Sequence, residues 1–479
     1  MIQSFVHSSE SNNLYLYIDR HRLSMPVHPE FEKAVEKSKD ADVYYLKKVA
    51  YMEEHGFFAE PEPTGFRALE ESVVRHNIAN TKQIVFEATD SCNLNCTYCA
   101  LGELYEGYDE RTDKKINTRY AINLLKYIFD MKSKNENSLL YISFYGGEAL
   151  LNMKFIRRIV EVANQLNAEK GFDIRYSMTT NATLLHKYID FLVAHKFRLL
   201  ISLDGNEANH SYRVFKKNNK NSFQRVIDNL DMIQREYPAY FADHISFNAV
   251  LHDRNSVKEI YEFIYTRYQK IPRIAELNTR EIRSDNQELI ERMFRSKRKS
   301  ETEFQEEDSE FSGLTHDKLS LYRDLMNFLK YLSINYYIAN VNALLHDMEI
   351  HLPTGTCIPF SKKIFLTNRN KLLPCEKVNY KYAMGKVNEN IAIDIPEITR
   401  LYNSYFEHIK KFCQTCYAYR FCGVCLFQLN NLDNINTEEF ACERYQNQKV
   451  FKNRLHQIFS FLEKYPNDVS RILENVILG

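Results

Sequence analysis

Three cysteines follow closely after a strand-like run that ends at Thr89. Cys92 and Cys96 are separated by three residues, and Cys96 and Cys99 by two. Thiolates this close in sequence can converge on one metal centre. A four-iron cluster normally takes four cysteines, but the next cysteine in the chain is Cys357. Three ligands leave one coordination position open, which is typical of a catalytic rather than a structural metal site.

A second group of cysteines occupies a later stretch of the chain. Its members are Cys357, Cys375, Cys413, Cys416, Cys422, Cys425 and Cys442. The core spacing is Cys-x2-Cys-x5-Cys-x2-Cys. Two zinc knuckles would explain this spacing without any catalytic role. For the first three cysteines, a zinc site completed by a histidine is the corresponding alternative.

Between the two groups of cysteines, strand-like and helix-like runs alternate. The strand candidates are Gln83–Thr89, Leu140–Tyr145, Ile174–Thr180, Arg198–Asp204, His244–Leu251 and Ile274–Ile282. Thr118–Met131 and Ser222–Glu236 repeat apolar residues at helical spacing, with Ser222 expected as an N-cap. Six β-α repeats predict a parallel sheet with helices outside it. Functional side chains are then expected at the C-terminal ends of the strands.

Glycines and polar residues follow those strand ends. The second strand runs into Gly146, Gly147 and Glu148. Glycines let a backbone approach a ligand closely, and a glutamate can accept a hydrogen bond from an ammonium group. A plain β-α turn would explain the glycines alone. The end of the fourth strand includes Ser202 and Asp204, and Arg213 follows.

The cysteine spacing, with Tyr98 just before the last cysteine, resembles the signature of the radical SAM enzymes. The resemblance implies a partial (β/α)6 barrel and a [4Fe-4S] cluster whose open iron binds S-adenosyl-L-methionine (SAM). It places the Gly-Gly-Glu segment on the amino group of SAM, and the serine and arginine on its carboxylate. Carried over by position, the metal ligands are Cys92, Cys96 and Cys99, and the cofactor-binding residues are Tyr98, Gly146, Gly147, Glu148, Ser202 and Arg213. Ala182 stands where relatives usually have glycine.

The later cysteines resemble the SPASM extension, which carries auxiliary iron–sulfur clusters in radical SAM enzymes that act on peptides. By position, one auxiliary cluster would be held by Cys413, Cys416, Cys422 and Cys442. The other would be held by Cys357, Cys375 and Cys425, with its fourth ligand unassigned. Both are expected to be [4Fe-4S] clusters. The step from Cys422 to Cys425 is one residue shorter than usual, and Asn370 stands where a glycine is expected.

The N-terminal residues predict a small α+β module of their own. Two strands, Asn13–Ile18 and Arg22–Val27, form a hairpin, and a helix near Tyr44 to His55 ends at Gly56. Such a module is similar to the leader-peptide recognition elements of peptide-modifying enzymes, which add a peptide to a sheet edge. A structural cap on the barrel is the alternative.

The remaining patterns complete a division into five consecutive segments. A charged run near residues 285–315 predicts a solvated loop, and helices are expected at Leu319–Leu332, at Val341–Ile350 and in the tail from Val450. The predicted segments are 1–80, the N-terminal module; 81–285, the barrel; 286–350, the charged insertion and bridging helices; 351–450, the SPASM domain; and 451–479, the C-terminal helices.

Composition limits the other possibilities. Basic and acidic residues balance at 63 each, which argues against nucleic acid or an anionic membrane as a partner. The N-terminus lacks a signal pattern, and no apolar run approaches the roughly 20 residues that span a bilayer. A cytoplasmic protein is expected.

The resemblance predicts an oxidoreductase that cleaves SAM reductively to a 5′-deoxyadenosyl radical. The radical would abstract hydrogen from a leader-bearing, ribosomally made precursor peptide and install a thioether, carbon–carbon or ether cross-link. A flavodoxin or ferredoxin would supply electrons, and no catalytic acid or base is identified. One alternative is an anaerobic sulfatase-maturing oxidase that forms formylglycine, and the other is a non-enzymatic zinc-knuckle interaction protein.

Overall fold

The computed structural model describes residues 4–59, 66–99, 101–132, 138–306, 320–331 and 352–466. The chain folds as two compact units, each assembled from separated segments. The terminal unit comprises residues 1–69, 316–356 and 402–479, and the central unit comprises residues 70–315 and 357–401. The sequence predicts consecutive segments instead, and the functional labels of those segments remain predictions.

Strands and helices are numbered along the chain. The strands are β1 Phe5–Ser8, β2 Leu14–Ile18, β3 Leu23–Val27, β4 Gln83–Thr89, β5 Leu139–Gly146, β6 Asp173–Thr180, β7 Arg198–Ser202, β8 Ile245–Leu251, β9 Arg273–Glu276, β10 Ile364–Leu366, β11 Lys371–Leu373, β12 Gly385–Val387 and β13 Ile391–Ala392. The α-helices are α1 Pro29–Val35, α2 Val43–Glu54, α3 Glu71–Ala79, α4 Thr118–Met131, α5 Met153–Lys170, α6 Ile189–Ala194, α7 Phe223–Glu236, α8 Pro238–His244, α9 Val257–Tyr268, α10 Gln287–Met293, α11 Lys297–Glu306, α12 Ser320–Tyr331, α13 Ile395–Cys413 and α14 Gln448–Lys464.

The predicted N-terminal hairpin is confirmed, with one strand more. β2 and β3 pair antiparallel, and β1 joins the other edge of β2. The predicted helix is α2, and Gly56 follows it with φ at +70°, which favours glycine. Side chains alternate across the strands, so Leu16 and Ile18 pack with α1 and α2, whereas Tyr17 packs with α12 and α14 on the other face.

A buried ion pair holds the hairpin turn. Asp19 is only 1% exposed, and it accepts hydrogen bonds from the Tyr17 hydroxyl at 2.8 Å and from Arg420 Nη1 at 3.0 Å. Arg420 lies between Cys416 and Cys422 in the sequence. The pair therefore connects the N-terminal module to the cysteine-rich segment of the same unit.

Asp19→Asn is expected to lower the free energy of unfolding by about 3 kcal/mol, because it leaves the Arg420 guanidinium buried without its counter-charge. Urea unfolding of the full chain, followed by circular dichroism, measures the change. The same substitution at Asp40, an exposed residue 3.7 Å from Lys33, is the control and should have little effect. Equal effects at the two positions would show that the buried pair does not stabilise this unit.

Six parallel strands form the middle of the central sheet, in the order β4-β5-β6-β7-β8-β9. Helices α4, α5, α6, α7 and α9 lie between successive strands of the chain. Phe86 and Phe144 on neighbouring strands contact Phe155 of α5, with ring centroids 5.7 and 6.1 Å from it. The predicted α/β class with six β-α units is confirmed. The last strand is shorter than predicted, because the backbone leaves the sheet after Glu276.

Four further strands extend this sheet beyond β4, and the sequence did not predict them. β10 pairs parallel with β4, from Ile364 opposite Ile84 to Leu366 opposite Phe86. β11, β12 and β13 follow antiparallel. Asn370, in the turn between β10 and β11, has φ at +66°. The left-handed turn expected at this asparagine is therefore present.

The helix predictions hold with one correction. α4 and α7 match the expected stretches, but Ser222 does not cap α7 through its side chain. Its hydroxyl instead donates to the Arg213 carbonyl at 2.8 Å and contacts His210 Nε2 at 3.1 Å. None of the helices in the described ranges is long and apolar enough to cross a membrane.

The solvated loop predicted in the charged run is wrong for much of that run. The described part of the charged run forms α10 and α11, up to residue 306. Pairs at helical spacing such as Lys297 with Glu301, at 3.5 Å, support the second helix. The predicted helices at Leu319–Leu332 and in the tail appear as α12 and α14, whereas Val341–Ile350 and the last residues lie outside the described ranges.

Candidate functional site

The first three cysteines lie on the loop that leaves the C-terminal end of β4. The Asn95 amide donates to the Val214 carbonyl at 2.8 Å, and the Lys216 amide donates to the Asn93 carbonyl at 2.9 Å. These bonds hold the loop against the segment that follows β7. Within the loop, the Cys99 amide donates to the Cys96 carbonyl at 3.1 Å. All three cysteines are partly exposed residues, so the loop lies at this end of the sheet and not within the core.

The surroundings of the thiols combine burial with hydrogen-bond donors. Burial raises the pKa of Cys92 to about 11 and that of Cys96 to about 12. Donors act in the opposite direction by favouring thiolates. The Leu94 amide lies 3.4 Å from Cys92 Sγ, and Arg111 Nη2 lies 3.2 Å from Cys99 Sγ.

Gly146 and Gly147 bring the end of β5 against the cysteine loop. Gly146 has φ at +129°, and a Cβ there would lie 2.2 Å from the Thr89 carbonyl oxygen. A Cβ on Gly147 would lie 2.2 Å from the Ser91 carbonyl oxygen. The Gly147 amide donates to Thr89 and the Glu148 amide to Ser91, both at 2.9 Å. This close packing is enough to require glycine at both positions. Contact of the two glycines with a cofactor stays a prediction.

Glu148 is buried and already has three protein donors. They are the Leu150 amide at 3.1 Å, the Thr180 hydroxyl at 2.8 Å and the Asn181 amide at 2.8 Å. Burial raises the pKa of Glu148, while these donors oppose the rise. The Asn181 side chain then donates to Asn93 of the cysteine loop at 2.9 Å. Glu148 thus connects the ends of two strands beside the cysteines, and an ammonium group as its fourth partner stays a prediction.

Arg213 is held by Asp204 in a buried pair. Nε and Nη2 donate to the carboxylate at 2.8 and 3.1 Å, and the Val250 amide donates to it at 3.0 Å. The Tyr98 hydroxyl donates to the same carboxylate, and its ring centroid lies 5.4 Å from the guanidinium carbon of Arg213. Burial alone would raise the pKa of Asp204, but the charge of Arg213 holds it well below the usual range. Arg213 and Tyr98, both predicted to bind the cofactor, are therefore brought together.

The other strand-end residues lie along the same edge. Ser202 of β7 stands opposite Asn248 of β8, and both are partly exposed. Ala182, where relatives usually have glycine, has φ at +63°. The backbone there adopts the left-handed conformation that glycine favours, so the substitution kept the turn.

The later cysteines are divided between the two units. The terminal unit holds Cys413, Cys416, Cys422, Cys425 and Cys442, and the central unit holds Cys357 and Cys375. Burial raises the pKa of Cys413, and the neighbouring Cys422, Cys416 and Cys442 raise it further. The four predicted ligands of one auxiliary cluster therefore lie near one another in the terminal unit. Cys375 lies beside Glu376, which pairs with Lys363 at 3.0 Å.

A protein-family model matches the part of the chain that contains this site. The model of the Radical SAM superfamily matches residues 86–264, which include the cysteine loop, Gly146, Glu148 and Arg213. Over these residues the chain is similar to the radical SAM superfamily. Members of the superfamily use SAM and a [4Fe-4S] cluster.

Two curated relatives are similar over part of their length. The radical SAM cyclopropyl synthase TigE of Paramaledivibacter caminithermalis is 28% identical over 177 residues, which are 36% of this chain and 35% of TigE. The cysteine-type anaerobic sulfatase-maturating enzyme of Clostridium novyi is 27% identical over 156 residues, which are 32% of this chain and 40% of that enzyme. The match therefore spans less than half of either relative.

A solved structure shares the fold over more of the chain. Native anSMEcpe with bound AdoMet and Cp18Cys peptide is similar with a TM-score of 0.52 at 19% sequence identity, covering 81% of this chain and 99% of that chain. At this identity the similarity shows the fold alone.

The donor set of the radical SAM loop fits a cluster with three cysteine ligands. Thiols with raised pKa values are neutral near pH 7 on their own, and coordination to a metal deprotonates them. Arg111 and the Leu94 amide are placed to stabilise the resulting thiolates. In the described part of the chain, no group of three or more His, Cys, Asp or Glu side chains is placed to hold a single metal ion. In a four-iron cluster each cysteine binds a different iron.

Sequence reasoning missed Arg111 and Glu87. Arg111 lies in a loop with no periodic pattern, and its approach to Cys99 depends on how that loop folds back. Glu87 is a charged residue within the apolar run of β4. That position in the sequence was the feature that could have identified it as a buried polar residue. It accepts hydrogen bonds from the Asn368 amide at 3.0 Å and from the Tyr380 hydroxyl at 3.2 Å. Burial raises the pKa of Glu87 to about 7.

Glu87→Gln is expected to gain stability relative to the natural chain as the pH rises. The folded state binds the Glu87 proton more tightly than the unfolded chain does, so the stability of the natural chain falls as pH rises from about 4.5 to about 7. Between pH 5 and pH 8 the advantage of the variant should grow by roughly 2–3 kcal/mol. Urea unfolding at the two pH values measures it, with Glu71→Gln, an exposed position of the same unit, as the control. A pH-independent difference would contradict the assignment.

Proposed function

We propose that this chain is a radical SAM peptide maturase, which installs a cross-link in a ribosomally made precursor peptide. The proposal is carried by the second group of cysteines, in which Cys413, Cys416, Cys422 and Cys442 interact within one unit. Reductive cleavage of SAM needs only the loop at the end of β4. A further four-thiol site therefore supports an additional electron-transfer or substrate-binding task.

Formation of the cross-link oxidises the peptide by two electrons, in two one-electron steps. The cluster and SAM, when bound, supply a 5′-deoxyadenosyl radical that takes one hydrogen atom from a substrate carbon. Bond formation to a cysteine sulfur or an aromatic partner then releases one proton and one electron. We propose that the auxiliary clusters accept that electron, and that a flavodoxin or ferredoxin supplies the electron that cleaves SAM. Arg213, Glu148 and the glycines orient SAM and exclude water from the site.

We further propose that β3 is the edge to which the leader of the precursor peptide adds. In the described ranges, β3 pairs with β2 on one edge only. The opposite edge strand, β1, is covered, since His456 Nδ1 of α14 lies 2.7 Å from the Ser8 carbonyl oxygen. Pro26 in β3 is typical of an edge strand. Backbone groups left open on β3 would give affinity for an extended peptide.

A sulfatase-maturing oxidase, which converts cysteine or serine to formylglycine, is the second candidate. It is supported by the similarity to the Clostridium novyi enzyme. Its target needs only a short motif, so the N-terminal module would then serve as a structural cap. The ion pair of Asp19 with Arg420 is compatible with that role as well.

Metal content after anaerobic purification and iron–sulfide reconstitution tests the proposal. About eight to twelve irons per chain with little zinc are expected for one radical cluster together with one or two auxiliary clusters. About four irons together with zinc would overturn the auxiliary clusters, and zinc alone would favour the zinc-knuckle protein. The loaded protein is then incubated with SAM, a reductant and a synthetic sulfatase-type peptide that contains cysteine. An aldehyde in that peptide would establish the second candidate instead.

A further inference from the structure

We propose that Arg111 raises the reduction potential of the radical cluster by donating a hydrogen bond to the sulfur of Cys99. The inference rests on the proposed function in one respect, since it needs the cluster on Cys92, Cys96 and Cys99. It concerns a residue outside both the cysteine motif and the predicted SAM-binding set.

The first observation is the contact itself. Arg111 Nη2 lies 3.2 Å from Cys99 Sγ, which is within hydrogen-bond distance for sulfur. Arg111 Nε is buried and has no hydrogen-bond partner among the described residues. No carboxylate in those ranges pairs with the guanidinium, so its charge is not neutralised by a close ion pair. The nearby Asp90 carboxylate acts on this partly buried cation without a close contact, and an anionic cluster at Cys99 would give it a direct partner.

The second observation is that the residues on both sides of Arg111 are held by two cations from one region of the sheet. Arg369 Nη2 donates to the Glu110 carbonyl at 2.7 Å and to the Thr112 hydroxyl at 3.1 Å. Lys371 pairs with Asp109 at 2.7 Å. Arg369 lies in the turn between β10 and β11, and Lys371 is the first residue of β11. This turn therefore positions Arg111, and its place beside Cys99 does not depend on a flexible loop.

The electrostatic consequence has a definite sign. Reduction adds one negative charge to the cluster, and a nearby cation with an N–H donor stabilises the reduced form more than the oxidised one. Because the contact is largely shielded from solvent, salt screens it weakly. The arginine fork keeps one donor on the sulfur while its second donor remains available to the cluster, an arrangement that a lysine ammonium does not reproduce.

The test is an EPR-monitored redox titration of the reconstituted full chain. The radical cluster is recognised as the signal that changes when SAM is added. Arg111→Gln should shift the midpoint potential of the radical cluster to a more negative value. The shift should be at least about 59 mV, which is a tenfold change in a one-electron reduction equilibrium. Arg111→Lys should shift it less. Arg119→Gln, which removes an arginine that is 72% exposed and pairs with Glu389 at 2.6 Å, should not shift it.

A second measurement uses the natural sequence and does not depend on how the variants fold. In protein labelled with ¹⁵N-arginine, pulsed EPR of the reduced cluster should show a nitrogen coupling, and Arg111→Lys should lose it. An unshifted midpoint in Arg111→Gln, no coupling in the natural chain, or a coupling that persists in Arg111→Lys would each overturn the inference. Absence of any SAM-sensitive signal would overturn the proposed function itself, which distinguishes the two failures.

Discussion

Cys96→Ala is expected to abolish the formation of 5′-deoxyadenosine from SAM. Cys96 lies between the other two ligands of the loop, and its loss leaves two thiolates for a cluster that needs three. Removing residues that only support a metal ligand costs 10–100-fold, so loss of the ligand itself should cost at least about a hundredfold. The product is quantified chromatographically after anaerobic incubation of the reconstituted chain with SAM and dithionite.

Cys422→Ala is the matched control for this experiment. Cys422 belongs to the terminal unit, and burial raises its pKa, as it raises those of Cys92 and Cys96. The control should keep 5′-deoxyadenosine formation while losing iron from an auxiliary site. Persistent product in Cys96→Ala would overturn the ligand assignment. Loss of product in both variants, with unchanged circular dichroism, would mean that the two cysteine groups do not have separate roles.

Asp204→Asn is expected to lower the free energy of unfolding by about 3–5 kcal/mol, since it leaves Arg213 buried without its counter-charge. The Arg213 side chain is 9% exposed and that of Asp204 is 0% exposed. Because the pKa of Asp204 lies below its unfolded value, its contribution is present at neutral pH and is lost as the pH falls through the acid range. The difference between variant and natural chain should therefore shrink in acid. Urea unfolding at several pH values measures both effects.

The same substitution at Asp231 is the control. Asp231 also accepts two hydrogen bonds from one arginine, Arg267, but these side chains are 40% and 41% exposed. Solvent screens an exposed pair, so Asp231→Asn should cost less than about 1 kcal/mol. The Asp204 variant should also bind SAM more weakly if Arg213 contacts the cofactor carboxylate, because Asp204 fixes that guanidinium. Unchanged SAM affinity in a folded Asp204→Asn protein would argue against a role for Arg213 in binding.

Local patterns predicted the elements that carry the site. The apolar run in β4 and the apolar spacing in α4 need no distant partner, and both were predicted with the bounds that the structure has. The turn at Asn370 was predicted for a similar reason, since a left-handed backbone restricts the residue type at a single position. Ser222 shows the limit of such reasoning. Its sequence position suits an N-cap, but the nearby Arg213 carbonyl takes its hydroxyl instead.

Long-range contacts decided the rest. β10 has only three residues, too few for a periodic pattern, and its pairing with β4 joins segments far apart in the chain. That pairing brings the cations of the following turn to the loop of Arg111. The two compact units likewise combine the start, a middle segment and the end of the chain, an assembly that no local composition change marks.

The sequence by itself determined the residues on which the proposed chemistry depends: three closely spaced thiols after a strand, glycines at the next strand end, and a second group of cysteines. Residue types and short spacings suffice for this, because metal ligands and tight turns are local requirements. Tertiary structure alone decided which groups surround the thiols. It placed Arg111 on Cys99, Asp204 on Arg213 and three donors on Glu148, since burial and partners depend on strands and loops that meet only in the folded chain.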